Sequence, residues 1–173
     1  VYTTLIDMNG QVVADELRLA DALRDLTAGF PAVSTWGERF AVAWVSNTTG
    51  GESSIEIDLL SRAGDAFRED SSTSIVSEMY RTTNLGMTTI DDRLVVGYRH
   101  SPIGLPAEIM VTFVEPESGE QRDFSIDSRA DDQDTAELAF SGGVVGLVYD
   151  VDGNGRANPG ETNVMFSILG ACL

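Results

Sequence analysis

The chain has 173 residues and a net charge of −17, from 28 acidic against 11 basic residues, and every basic residue is Arg. So negative a surface repels phosphate backbones, which excludes nucleic acid as the expected partner, and it attracts divalent cations; adaptation to a saline setting would leave the same mark. No run of 18 apolar residues is present, so no membrane-spanning helix is expected, and an apolar fraction of 42% suffices for one folded domain.

The first segment, Val1 to Ile6, is short and rich in β-branched and aromatic residues, and Gly10 follows it as a turn residue before a second short strand, Gln11 to Ala14. From Asp15 to Leu26 the pattern changes. Leu19, Leu23 and Leu26 stand at helical spacing with Asp15 as a cap and Gly29 as a stop, which fits a short helix; a polar connection anchored by leucines fits equally well. Beyond it the chain repeats. Phe40-Ala41-Val42-Ala43-Trp44 returns 54 residues later as Leu94-Val95-Val96-Gly97-Tyr98, and after a further 51 as Val145-Gly146-Leu147-Val148-Tyr149. A second block follows each. Ile55-Glu56-Ile57-Asp58-Leu59-Leu60 corresponds to Ile109 to Val114, then to Val164 to Leu169, and backwards to Val1 to Ile6. Gly10, Gly64 and Gly119 each close a turn after the second block.

These blocks predict strands near 31–36, 39–46, 54–61 and 66–70, then 85–91, 93–100, 108–115 and 120–126, then 135–141, 144–150 and 162–169. The first-block strands are apolar on both faces, which predicts sheets covered on both sides. Small residues recur on one of those faces (Ala41, Ala43, Gly97, Gly146), so a neighbouring sheet can approach closely. The predicted fold is all-β, a β-propeller-like array of four-stranded antiparallel repeats over residues 1–30 (partial), 31–84, 85–134 and 135–173 (partial), with a β-sandwich as the alternative. In this strand pattern the chain resembles the blade-like repeats of secreted bacterial β-propeller proteins, which implies an extracellular or cell-surface setting. Two whole units and two partial ones do not close a ring. Bare sheet edges are then expected to be covered by a protein partner or by further copies of the chain. The start at Val1 rather than Met suggests a mature or excised product, or part of a longer polypeptide. Cys172 is the single cysteine, so no internal disulfide can form.

The candidate site is Asp150-Val151-Asp152-Gly153-Asn154-Gly155-Arg156-Ala157-Asn158-Pro159-Gly160-Glu161, with side-chain oxygens at positions 1, 3, 5, 9 and 12 and Gly at 6. Calcium is a hard cation that takes about six to eight oxygens, and this is the spacing of a calcium loop. Asp150, Asp152 and Asn154 would converge as the backbone curls at Gly155, Arg156 would offer its carbonyl, Asn158 would ligate directly or through water, and Glu161 would close the site. Trp44 to Ile55 and Tyr98 to Ile109 are each 11 positions, whereas Tyr149 to Val164 is 15, so the loop is an insertion at one strand–strand turn. The segment resembles the EF-hand loop at positions 1, 3, 5, 6 and 12, and it resembles the Asp-rich loop of integrin-type FG-GAP propeller blades with Asn154 and Asn158 in place of Asp. It departs from the EF-hand in its strand flanks and in Ala157 at position 8. The resemblance implies Ca2+ held structurally in a β context.

Other chemistry is thinly represented. His100 is the only histidine, at a strand end, where a surface or capping role is expected rather than catalysis. Zinc would need more His or Cys, no phosphate-cradling loop is present, and Asp131, Asp132 and Asp134 read as an acidic turn able to form a second, weaker cation site. Asn47-Thr48-Thr49 fits a glycosylation sequon. The sequence therefore points first to a non-enzymatic extracellular calcium-binding module for adhesion or scaffolding. Two alternatives stand beside it: a carbohydrate-binding or carbohydrate-active propeller with Trp36 or Trp44 as glycan platform, and a subunit of an extracellular filament or surface layer.

Overall fold

A computed structural model describes residues 1–19, 27–47, 53–64, 66–77, 81–102, 105, 107–126, 132–141, 144–152 and 162–170. Among them the chain is all-β, with four antiparallel sheets formed in chain order. The first pairs β1 (Tyr2–Ile6) with β2 (Val12–Arg18). The second is a meander of β3 (Thr27–Trp36), β4 (Arg39–Asn47), β5 (Ser53–Ala63) and β6 (Ala66–Ser77). The third repeats it with β7 (Arg81–Ile90), β8 (Arg93–Ser101), β9 (Glu108–Glu115) and β10 (Glu120–Ser125), and the fourth has β11 (Asp132–Ser141), β12 (Val144–Asp152) and β13 (Thr162–Gly170).

Of the two readings left open from Asp15 to Leu26, the helix does not form over Asp15–Arg18, which continue β2; residues 20–26 lie outside the described ones. Pairing with β1, Tyr2 opposite Arg18 and Thr3 opposite Leu17, outweighs the leucine spacing here, and Leu17 and Leu19 pack on the second sheet. β3, β7 and β11 begin earlier than their apolar runs, each continuing past a bulge, at Gly29–Ala32, Thr83–Gly86 and Asp134–Ala136. The bulges carry the repeat in the backbone itself. Phe30 (φ 52°) and Asn84 (φ 55°) both take left-handed conformation at equivalent places, as do Gly37 (φ 59°) and Asp91 (φ 51°) in the hairpins that follow. A bulky residue such as Phe rarely adopts this region. Gly10, Gly64 and Gly119 close the outer hairpins at φ 79°, 69° and 75°, as their spacing predicts. The first of these turns is pinned by Asp7, whose carboxylate accepts from the Asn9 and Gln11 amides at 2.8 and 2.9 Å and is held below the usual carboxylate range chiefly by the Gln11 bond.

Each sheet packs on its neighbours in chain order. Ala41 to Ser46 and Leu94 to Tyr98 are buried without a break, so β4 and β8 are covered on both faces. Between the second and third sheets lie Ala41, Ala43, Ile55, Ile57 and Leu59 against Leu94, Val96 and Tyr98. Between the third and fourth lie Val95, Ile109, Val111 and Phe113 against Val145, Leu147 and Tyr149. Val42, Trp44 and Leu60 turn the other way, toward Val1 and Leu17 of the first sheet. The opening strands come together: β7 lies against β3 on one side and β11 on the other. The Ser34 and Thr89 hydroxyls meet at 3.0 Å across the β3–β7 seam, and the Trp36 indole donates to the Asp92 carbonyl at 2.8 Å. Farther out, Gln121 Nε2 donates to the Ser74 carbonyl at 2.7 Å.

Ala43 is wholly buried where the second and third sheets approach. Ala43→Leu should force them apart and lower stability by about 1–3 kcal/mol. An unchanged urea midpoint would contradict this packing.

Candidate metal centre

β12 and β13 stay in unbroken register from Val144 opposite Gly170 to Asp152 opposite Thr162, with Asp150 opposite Val164. The first and third positions of the calcium-loop spacing are therefore ladder residues, and the chain leaves the ladder only after Asp152. Asn154, Arg156, Asn158 and Glu161 lie outside the described residues, as does Cys172. The connection bridges residues 153–161, where the equivalent connection in the second sheet bridges 48–52. There Ser53 Oγ donates to Asn47 Oδ1 at 2.7 Å, closing the corner with a neutral hydrogen bond.

On the other side of β12 the register sets Asp132 opposite Asp152 and Asp134 opposite Asp150. The acidic turn expected at Asp132 and Asp134 is instead the first part of β11; Asp131 lies outside the described residues. The sequence hid this pairing because the apolar pattern of β11 starts after the bulge between Asp134 and Ala136. Four aspartates, two from each strand, thus share one end of one ladder. Like charges directly opposite each other destabilise an antiparallel pair unless something neutralises them.

The remaining candidates fall elsewhere. His100, half-buried at the end of β8, stands opposite Thr82 and Glu108; burial lowers its pKa while Glu108 works the other way. Glu108 is engaged by Ser125, whose hydroxyl donates to it at 2.7 Å. Trp36, beside the Gly37–Glu38 turn, is 9% exposed, because its indole N–H is bonded to Asp92 and the Arg39 guanidinium sits 4.2 Å above its ring. Trp44 is 4% exposed, as its strand position predicts. Neither indole is open to a sugar. A cleft of about 380 Å³ lies between β1 and the second sheet, lined by Val1 to Thr4, Pro31 to Val33, Phe40, Val42 and Phe67, with no carboxylate, imidazole, guanidinium or thiol side chain in its wall. Among the residues whose side chains are described, which do not include the four paired aspartates, no group of three or more His, Cys, Asp and Glu could hold a metal, and among the described residues no helix is long and apolar enough to cross a membrane.

Comparison with protein-family models, with curated proteins and with solved structures finds no match to this chain.

One buried acid escaped the sequence reading, because Asp58 alternates with Ile57 and Leu59 as an outward residue would. It is 3% exposed, opposite Val42 and Ser72 on the face that meets the first sheet. Burial pushes its pKa up to about 6; Ser72 hydrogen-bonds the carboxylate and opposes this, while Glu69 and Glu56 add to it. A pKa raised on folding favours the folded state below the unfolded value of 3.8, and that advantage is lost as pH rises through about 6. Asp58→Asn should therefore raise stability by roughly 1–2 kcal/mol above about pH 7, and leave it unchanged near about pH 3.5. Urea denaturation at both pH values checks this; equal gains at both would rule out ionisation as the cause.

Proposed function

We propose that this chain is a non-enzymatic, extracellular calcium-binding β-repeat module for adhesion or scaffolding, its sheets arranged in propeller-like fashion. The observation that carries the reading is the double pairing of Asp132 with Asp152 and Asp134 with Asp150 at the mouth of the inserted loop. Two like-charged pairs in one ladder call for a cation. The adjoining sequence supplies the further oxygens of Asn154, Asn158 and Glu161 and the Arg156 carbonyl in calcium-loop spacing. Two asparagines where the resembling loops have aspartate reduce ligand charge, which fits the weak end of the calcium range, a Kd on the order of 10⁻⁴–10⁻³ M, as in extracellular modules. The metal's role is structural. It would tie β11 and β12 to the start of β13 and hold a long connection in one shape.

What supports a propeller-like arrangement is the meander order within each sheet and the contact of β3, β7 and β11, the opening strands of successive units. The carbohydrate alternative loses its expected platforms, since Trp36 and Trp44 are both buried.

Isothermal titration with calcium should show one site in the unmutated chain and at least tenfold weaker binding in Asp150→Ala. Asp134→Asn should weaken binding as well, which a site confined to residues 150–161 would not require. Absence of binding heat in the unmutated chain would end the proposal. Saturating calcium should also raise the thermal midpoint, because a ligand held only by the folded state stabilises it.

A further inference from the structure

The two ends of the stack of sheets expose the positions that are buried inside it. At the internal interfaces Ile57 and Leu59 of β5 face the third sheet, and their repeat equivalents Val111 and Phe113 of β9 face the fourth. The next equivalents, Phe166 and Ile168 of β13, are 63% and 62% exposed. Val148, the counterpart of the buried Ala43, is 40% exposed beside them, opposite Phe166 in the ladder. Gly146 completes the face: a Cβ added there would come within 3.2 Å of the Phe166 ring, so that ring lies over the glycine. At the other end, Ile6 of β1 is 55% exposed, whereas its equivalents Leu60 and Val114 are fully buried, under the first and the second sheet respectively. Tyr2 and Val12 add further exposed apolar surface on β1 and β2.

We infer that copies of this chain associate head to tail, the outward face of the fourth sheet on one copy covering the outward face of the first sheet on the next. The occupant is a second copy because the contact continues one the chain already makes: each sheet presents β5-type residues to the next, and the first sheet's outward face is the receiving face left uncovered. The interface joins two different surfaces, so copies add until a ring closes, or form a filament where none does. The net charge of −17 opposes association, so added salt should strengthen it. The inference stands on packing alone and does not depend on calcium.

Sedimentation velocity on the 173-residue chain, at low and high salt, in calcium and in chelator, tests it. The expected result is a mass that grows with concentration and with salt in both metal conditions. Phe166→Glu and Ile6→Glu, both at exposed positions, should each give a monomer whose circular dichroism is unchanged. Mixed together, the two variants should form a one-to-one dimer and nothing larger, since each retains one intact face. A chain that stays monomeric at high salt would overturn the proposal and leave the face to a different occupant. Assembly by either variant alone, or no dimer on mixing, would overturn the head-to-tail arrangement.

Discussion

A sheet that is apolar on both faces must be covered twice, and this requirement organises the molecule. β4 and β8 are buried without a break through their central residues, Ala41 to Ser46 and Leu94 to Tyr98, so neither the second nor the third sheet could stand against water on one side. Each is held between neighbours, and each neighbour is the adjoining piece of chain. Burial of roughly 25 cal/mol per Å² of apolar surface supplies the drive. The small residues Ala41, Ala43 and Gly97 set how near the layers come. Lateral polar links, such as the Arg39–Glu117 ion pair at 2.6 Å between the second and third sheets, sit at the margin and contribute little by comparison.

The acidic surplus is handled unevenly within this frame. Asp7 is stabilised as an anion by backbone amides in a turn. Desolvation works to raise Asp70, but hydrogen bonds from Arg68 and Ser61 and the charges of Arg68 and Arg39 together outweigh it and hold the carboxylate low. Asp58 is buried and raised instead, a standing debit on stability at neutral pH. The aspartates of β11 and β12 are set against each other in pairs. The proposed calcium site would relieve the last of these, and it lies where the repeat has been lengthened by an insertion.

The repeat was legible because burial on both faces and a constant turn chemistry leave a periodic trace. The blocks around Val42, Val96 and Leu147 fall on β4, β8 and β12, and Gly10, Gly64 and Gly119 fall on left-handed turn positions. Other features left no such trace. The bulges at Phe30 and Asn84 share a backbone conformation but not a residue type, so no pattern of letters could reveal them. Strand ends beyond the apolar runs were missed for a related reason: β6 runs to Ser77 through serines and threonines paired with β5, and pairing of this kind is a property of the partner strand. Trp36 sits at a turn in sequence, yet a hydrogen bond and a stacked arginine from the same corner enclose it. Of the candidate site, the loop spacing was readable in the chain, while the pairing of Asp132 and Asp134 with Asp152 and Asp150 depends on a register that one bulge offsets.

Because every sheet rests on its chain neighbours, the molecule behaves as a short linear array in which cohesion is a sum over adjacent junctions. The second and third sheets have a junction on each side; the two-stranded first sheet has only one, through Val1, Leu17 and Leu19. Loosening would therefore start at the extremities and travel inward, with β1 and β2 fraying long before Leu94 or Val96 meets water.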